Sequence, residues 1–147
     1  MQPCPWPLAE LVPHRPPMLL LDAVEGYDAA SLAARLTIGP ETEFLQAEGV
    51  PAHIGLEYMA QACAAFAGAV ARGSGAPPRL GFLLGARRFV MHRPWFRPGE
   101  TLRVSVTLVY RDEAMGSFGG RIEIAGEVAA EADLTVYEPP EAGGTPP

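Results

Sequence analysis

The stretch "PAHIGLEYMAQACAAFAGAV", residues 51–70, places two groups able to do chemistry in an otherwise inert run. Glu57 brings a carboxyl group and Gln61, one helical turn later, brings an amide; from Gly55 to Ala71 almost every other side chain is small or apolar. Helical spacing puts the two on one face. A carboxyl group shut among apolar side chains loses hydration, which favours its neutral form and raises its pKa. The protonated carboxyl is the species a general acid requires. The plainer reading is a glutamate whose charge complements the helix N-terminus, but that leaves Gln61 on the same stripe without a reason.

The elements that must position these groups can be read along the chain. "LAELV" (8–12) is a short helical turn closed by Pro13. "PMLLLDAVEGYD" (17–28) reads as a strand and "SLAARLTI" (31–38) as its hairpin partner. "GPETEFLQAEGVP" (39–51) has the residues of a loop, and the long helix spans about 53 to 72 before "RGSGAPPR" (72–79) stops it. Four strand runs follow, at 80–90, 101–113, 115–126 and 127–138. Alternation in "LRVSVTLVY" and "ADLTVY" predicts a sheet with one face covered, and "AG" at 125–126 a tight hairpin turn. All these strands share one helix that is apolar all round, so the expected architecture is α+β, a curved antiparallel sheet wrapped around a central helix. One sheet cannot cover the whole circumference of that helix, which argues for a dimer.

Length and composition bound the rest. The 147 residues fit one domain, since domains run roughly 50 to 250 residues; it is expected over 1–138, with a disordered tail at 139–147. A net charge of −6 argues against nucleic-acid binding. The basic residues are all arginine, which reads as a coding bias of the source genome. Cys4 and Cys63 form no disulfide framework and have no metal-ligand spacing, so neither a metal nor another cofactor is expected. The N-terminus lacks the pattern of a signal peptide, and the apolar run, interrupted by Glu57 and Gln61, falls slightly short of a membrane span. A soluble, cytoplasmic protein is the expectation.

"LVPHRPPMLLLDAV" (11–24), "EYMAQA" (57–62), "FVMHRPWFRPGETLRVSV" (89–106) and "GGRIEIAGEVAAEADLTVY" (119–137), in that order, resemble the hot-dog-fold β-hydroxyacyl-[acyl-carrier-protein] dehydratases of fatty-acid synthesis. The similarity covers nearly all of the chain. Within that family the helix start resembles the dehydratase-like subunits of aryl-polyene and related polyketide clusters. The resemblance implies a helix surrounded by sheet, pairing of two subunits, and an acyl-thioester tunnel at their interface. It also implies a reaction: a carrier-bound 3-hydroxyacyl thioester loses water to become the trans-2-enoyl thioester. By position in "E-x-M-A-Q", Glu57 matches the acidic residue of that family, and Gln61 is placed to bind Glu57 or the substrate. "PA" at 51–52 stands where the relatives have Pro-Gly, so the backbone amide of Ala52 or His53 is expected to bind the acyl carbonyl.

The family places its basic histidine in a Gly-His-Phe-Pro segment ahead of the acidic residue. Here "FLQAEGVPAHIGLE" is shortened, and Glu48 stands in the histidine's place. Three sources of a base stay open. His53, at the helix entrance four residues before Glu57, is one, although a tunnel-wall or solvent-facing role is the plainer reading. His14 in "PHRPP" and His92 in "MHRPW" lie in segments that relatives use for packing and turns. The third is a histidine on a second hot-dog subunit, homodimer and heterodimer both remaining open. Arg87, Arg88, Arg93 and Arg97 form a basic patch suited to an acidic acyl carrier protein, or are surface arginines covering apolar area. Two alternatives to the dehydratase remain: an acyl thioesterase, and a non-catalytic partner subunit.

Overall fold

The computed structural model describes residues 1–75 and 81–138. Eight strands and one long helix follow in the order β1 (Ala23–Tyr27), β2 (Ser31–Thr37), β3 (Val50–Pro51), α1 (Gly55–Gly73), β4 (Phe82–Met91), β5 (Trp95–Phe96), β6 (Thr101–Arg111), β7 (Met115–Ile124) and β8 (Glu127–Tyr137). Six of them form one antiparallel sheet in the order β1-β2-β6-β7-β8-β4. β3 and β5 make a separate two-stranded ladder beside the start of α1.

The period-two pattern read from β6 is realised up to Thr107; beyond it the strand bulges between Leu108 and Tyr110, and Val109 and Tyr110 are both exposed. Leu102, Val104 and Val106 are buried against α1, while Arg103 and Thr107 face outward and Ser105 between them is half-buried. β7 and β8 add Phe118, Ile122, Ala132 and Leu134 to the same face. From the helix come Tyr58, Met59, Ala62, Phe66 and Ala69, all essentially without exposure. Phe66 and Phe118 meet edge to face with centroids 5.7 Å apart, a preferred aromatic geometry.

Two backbone details explain why small residues recur. Gly68 lets α1 lie directly on the N-terminal segment: a Cβ there would stand 2.2 Å from the carbonyl oxygen of Leu11. Between β7 and β8 the chain reverses through Ala125 (φ 52°) and Gly126 (φ 82°), the two positive φ angles that a tight hairpin turn matching strand twist requires.

The expected hairpin of 17–28 with 31–38 forms, but its first strand begins only at Ala23. Residues 17–22 run irregularly because part of their backbone is bonded to a helix side chain instead of a strand, as described below. The helix is preceded by a 3-10 turn, Ala52–Ile54, so its first residues wind more tightly than expected. The expected stop beyond Gly75 and the tail at 139–147 lie outside the described residues. α1 with its preceding turn is long and apolar enough to cross a membrane by length and composition, and most of it is buried inside the fold. The sheet leaves one stripe of α1 partly open: Glu57, Ala60, Ala64 and Ala67 are half-buried and Val70 is exposed.

Candidate active site

The site begins where the chain is pinned before α1. Val50 and Pro51 pair with Phe96 and Trp95, and the amide of Ala52 donates to the carbonyl of Pro94 at 2.9 Å. This fixes the direction in which α1 enters. It also corrects one expectation, because the Ala52 amide is engaged and not open to a ligand. The next amide along, that of His53, lies in the 3-10 turn that opens the helix, where the first donors have no partner within the helix.

Glu57 sits in the first turn of α1 and is half-buried on the partly open stripe. Its Oε2 accepts a hydrogen bond from Gln61 Nε2 at 3.3 Å. The same Nε2 donates to the carbonyl of Met18 at 2.7 Å, and Gln61 Oε1 accepts from the amide of Leu20 at 2.9 Å. Gln61 is 0% exposed, so all its hydrogen bonds are spent inside the protein. The expected substrate-binding role is therefore replaced by a positioning one: Gln61 ties the irregular 18–20 segment to the helix and holds Glu57 beside it. The sequence signal for this clamp was an amide in an otherwise apolar helix; its partner run at 17–22 read instead as part of a strand.

None of the three histidines is hydrogen-bonded to Glu57 among the described residues. His53 is exposed beside Met91, His92 and Arg93 in an open depression, and its ring makes no hydrogen bond among the described residues. His92 Nε2 is 2.8 Å from Glu131 Oε2, and this hydrogen bond holds the Glu131 carboxyl below its usual range. His14 is half-buried in the "PHRPP" turn, where Arg15 Nη1 donates to the carbonyls of Val12 and His14. Glu48 is exposed in its loop.

Of the four arginines expected to form a carrier patch, Arg93 is withdrawn from it. Its Nη2 lies 2.7 and 2.8 Å from the two carboxylate oxygens of Glu100, and its Nε donates to the carbonyl of Trp95. It braces the turn into β6. Arg87, Arg88 and Arg97 stay exposed. Arg88 lies 3.6 Å from Glu131. Two further ionisable groups are buried along α1. Burial pushes the Tyr58 phenol up, with the charge of Asp22 adding to it, and burial likewise pushes the Cys63 thiol up, with Glu138 adding. Cys63 is thus held as an inert thiol.

An antiparallel sheet curled around one central helix, with a carboxylate gripped at that helix's first turn, defines this as a hot-dog protein of the dehydratase type. The chain belongs to the ApeP-like family: the model of that family, described as ApeP dehydratase, matches residues 6–145. It is 30% identical over 133 residues to the 3-hydroxyacyl-[acyl-carrier-protein] dehydratase FabZ of Anaeromyxobacter dehalogenans, covering 86% of this chain and 85% of that one. To FabZ of Oenococcus oeni it is 33% identical, over 86% and 93%. Among solved structures it superposes on the dehydratase heterocomplex ApeI:P from Xenorhabdus doucetiae with a TM-score of 0.86 and 29% identity, over 93% of both chains. The PaaI protein of E. coli, with a TM-score of 0.60 and 12% identity over 78% and 81%, shares the fold.

Proposed function

We propose that this chain is the acid-bearing subunit of a dehydratase that converts a carrier-bound 3-hydroxyacyl thioester to the trans-2-enoyl thioester in the cytoplasm. The observation that carries this reading is Glu57, half-buried at the start of α1 and steered by a fully buried Gln61. In the reaction a base takes the α-proton and negative charge builds on the thioester oxygen. The His53 amide, at the positive end of the helix, accepts that charge. Glu57 gives a proton to the departing hydroxyl, the α,β double bond forms, and water leaves. The base then returns the α-proton to the Glu57 carboxylate through solvent, restoring both groups.

The base is a histidine of a second hot-dog subunit. Support comes from this chain's own layout, in which no described histidine is bonded to Glu57, and from the heterocomplex that a 29%-identical relative forms. β4 ends the sheet order and so offers unpaired backbone groups along its outer side, with Leu83, Leu84 and Met91 exposed on the strand. Pairing there brings a partner against the open stripe of α1. Arg87, Arg88 and Arg97 form the landing surface for an acidic acyl carrier protein.

Reconstitution tests the reading. The isolated chain is expected to dehydrate a 3-hydroxyacyl carrier thioester poorly, and a co-purified hot-dog subunit carrying the family histidine to restore turnover. Assaying free thiol in the same mixture separates water loss from thioester hydrolysis. Rapid dehydration by the lone chain, unaffected when all three histidines are replaced, would overturn the shared-site reading.

A further inference from the structure

The ten residues of β4, "FLLGARRFVM", separate apolar ends from a charged middle. Leu83, Leu84 and Met91 are exposed towards the two ends, and Arg87 and Arg88 stand sixth and seventh. The strand contains no aspartate or glutamate. Against β8 it carries an extra residue at Leu84 and another at Arg87, where the register shifts. The second bulge breaks the alternation of faces, so both arginines are exposed in succession. Arg88 lies 3.6 Å from Glu131 on β8, whereas Arg87 makes no ion pair among the described residues.

Symmetry makes this order selective. Two copies paired along the same edge are related by a two-fold axis, and each residue meets the position equally far from that axis on the other strand. When all of β4 joins such an antiparallel ladder, the axis passes between Ala86 and Arg87, halfway along the ten residues. Arg87 of each copy then faces Ala86 of the other, and Arg88 faces Gly85. Four guanidinium groups gather around the axis, on strands about 4.8 Å apart. The residues they face are too small to carry a countercharge. Like charges brought together across paired strands destabilise the pairing. The carboxylates beside β4, Glu131 and Asp133 of β8, already face basic groups of their own chain: Arg88, Arg121 and His92.

We propose that Arg87 and Arg88 select the subunit that pairs with this chain. They oppose a second copy and admit a different hot-dog chain whose edge strand carries a carboxylate near its middle. This selection rests on the β4 pairing proposed for the enzyme and adds what that pairing demands of the partner. Charge on an exposed edge is a general means of blocking unwanted strand addition. Discrimination follows because the same charges repel a like strand and attract a complementary one. Edge pairing joins backbones and leaves both faces of the sheet open, so the arginines stay accessible to a carrier.

Sedimentation of charge-reversed chains tests this without any substrate. The wild-type chain is expected to sediment as a single chain at low salt, and so is the Arg87→Glu/Arg88→Glu variant. Mixed in equal amounts, the two are expected to associate at least about tenfold more tightly than either does with itself, and added salt to erode that preference. Leu84→Arg in either chain is expected to disperse the mixed pair. All three substitutions fall on exposed side chains, and unfolding midpoints verify that each variant is folded. Self-association of the wild-type chain at low salt would overturn the selection; if Leu84→Arg disperses it, the β4 pairing itself still stands. A mixture no tighter than its components would overturn the selection as well. A complex with the histidine-bearing subunit that survives Leu84→Arg would instead remove the β4 pairing, and the selection with it, so the two failures are distinguishable.

Discussion

Gln61 Nε2 is shared between Met18 and Glu57 while its Oε1 takes the Leu20 amide, so one side chain both closes the fold and aims the acid. Replacing Gln61 with leucine strands a buried amide and a carbonyl, and is expected to cost about 1–3 kcal/mol in denaturant unfolding. Glu57→Gln keeps the shape but removes the transferable proton. Turnover of the reconstituted enzyme is expected to fall by about 10²–10⁴, with the unfolding midpoint little changed; a variant that keeps full rate would make the chain a scaffold. The Glu131 carboxyl is held below its ordinary value chiefly by the His92 hydrogen bond. A depressed folded-state pKa means that this stabilisation is present above the ordinary carboxylate pKa and disappears as pH falls through the lowered one. His92→Gln is therefore expected to lower stability slightly at pH values above the ordinary glutamate range, to leave it unchanged at pH below the lowered value, and so to flatten the acid limb of the stability profile. The pairing of Glu57 with Gln61 was legible from their spacing alone. The engagement of the Ala52 amide by Pro94 was not, because those residues are far apart in sequence and meet only through the β3–β5 ladder.

Among the elements, α1 and the three long strands β6, β7 and β8 were legible because their periodicity is sustained over many residues. The 17–22 segment misled for a physical reason: its leucines are apolar enough for a strand, but Gln61 takes the Leu20 amide that a ladder would use. The approach of α1 to the N-terminal segment depends on a missing side chain. Gly68→Ala would force a methyl against the Leu11 carbonyl, which stands 2.2 Å from the Cβ position. Overpacking of this kind costs about 1–3 kcal/mol. Thermal unfolding of this variant, compared with Gly85→Ala, where a Cβ meets nothing within 4 Å, separates the clash from any general effect of alanine.

For the whole molecule, the proposed shared site has a second subunit pairing along the edge of β4, beside the partly open stripe of α1. Leu84, 58% exposed on β4, is a point at which charge opposes association without touching the core. Leu84→Arg is expected to shift sedimentation toward the single chain, leave its unfolding midpoint in place, and abolish rescue by the partner subunit. The proposed landing surface for the carrier is tested at the same scale. Arg87→Glu with Arg88→Glu is expected to slow carrier association and to weaken its dependence on ionic strength. Identical association rates at low and high salt before and after the change would remove these arginines from the landing surface.

Local order determined much of this protein: the α+β architecture, the lone apolar helix, the tight turn at Ala125–Gly126, and the acid and amide on one stripe all follow from spacing and residue type. The tertiary structure decided which hydrogen-bonding groups remain available. It spent the Ala52 amide, Gln61 and Arg93 on internal partners and left no described histidine hydrogen-bonded to Glu57. Periodicity records which face of an element is buried, whereas the partner of each polar atom depends on chain segments that approach only when the sheet closes around the helix.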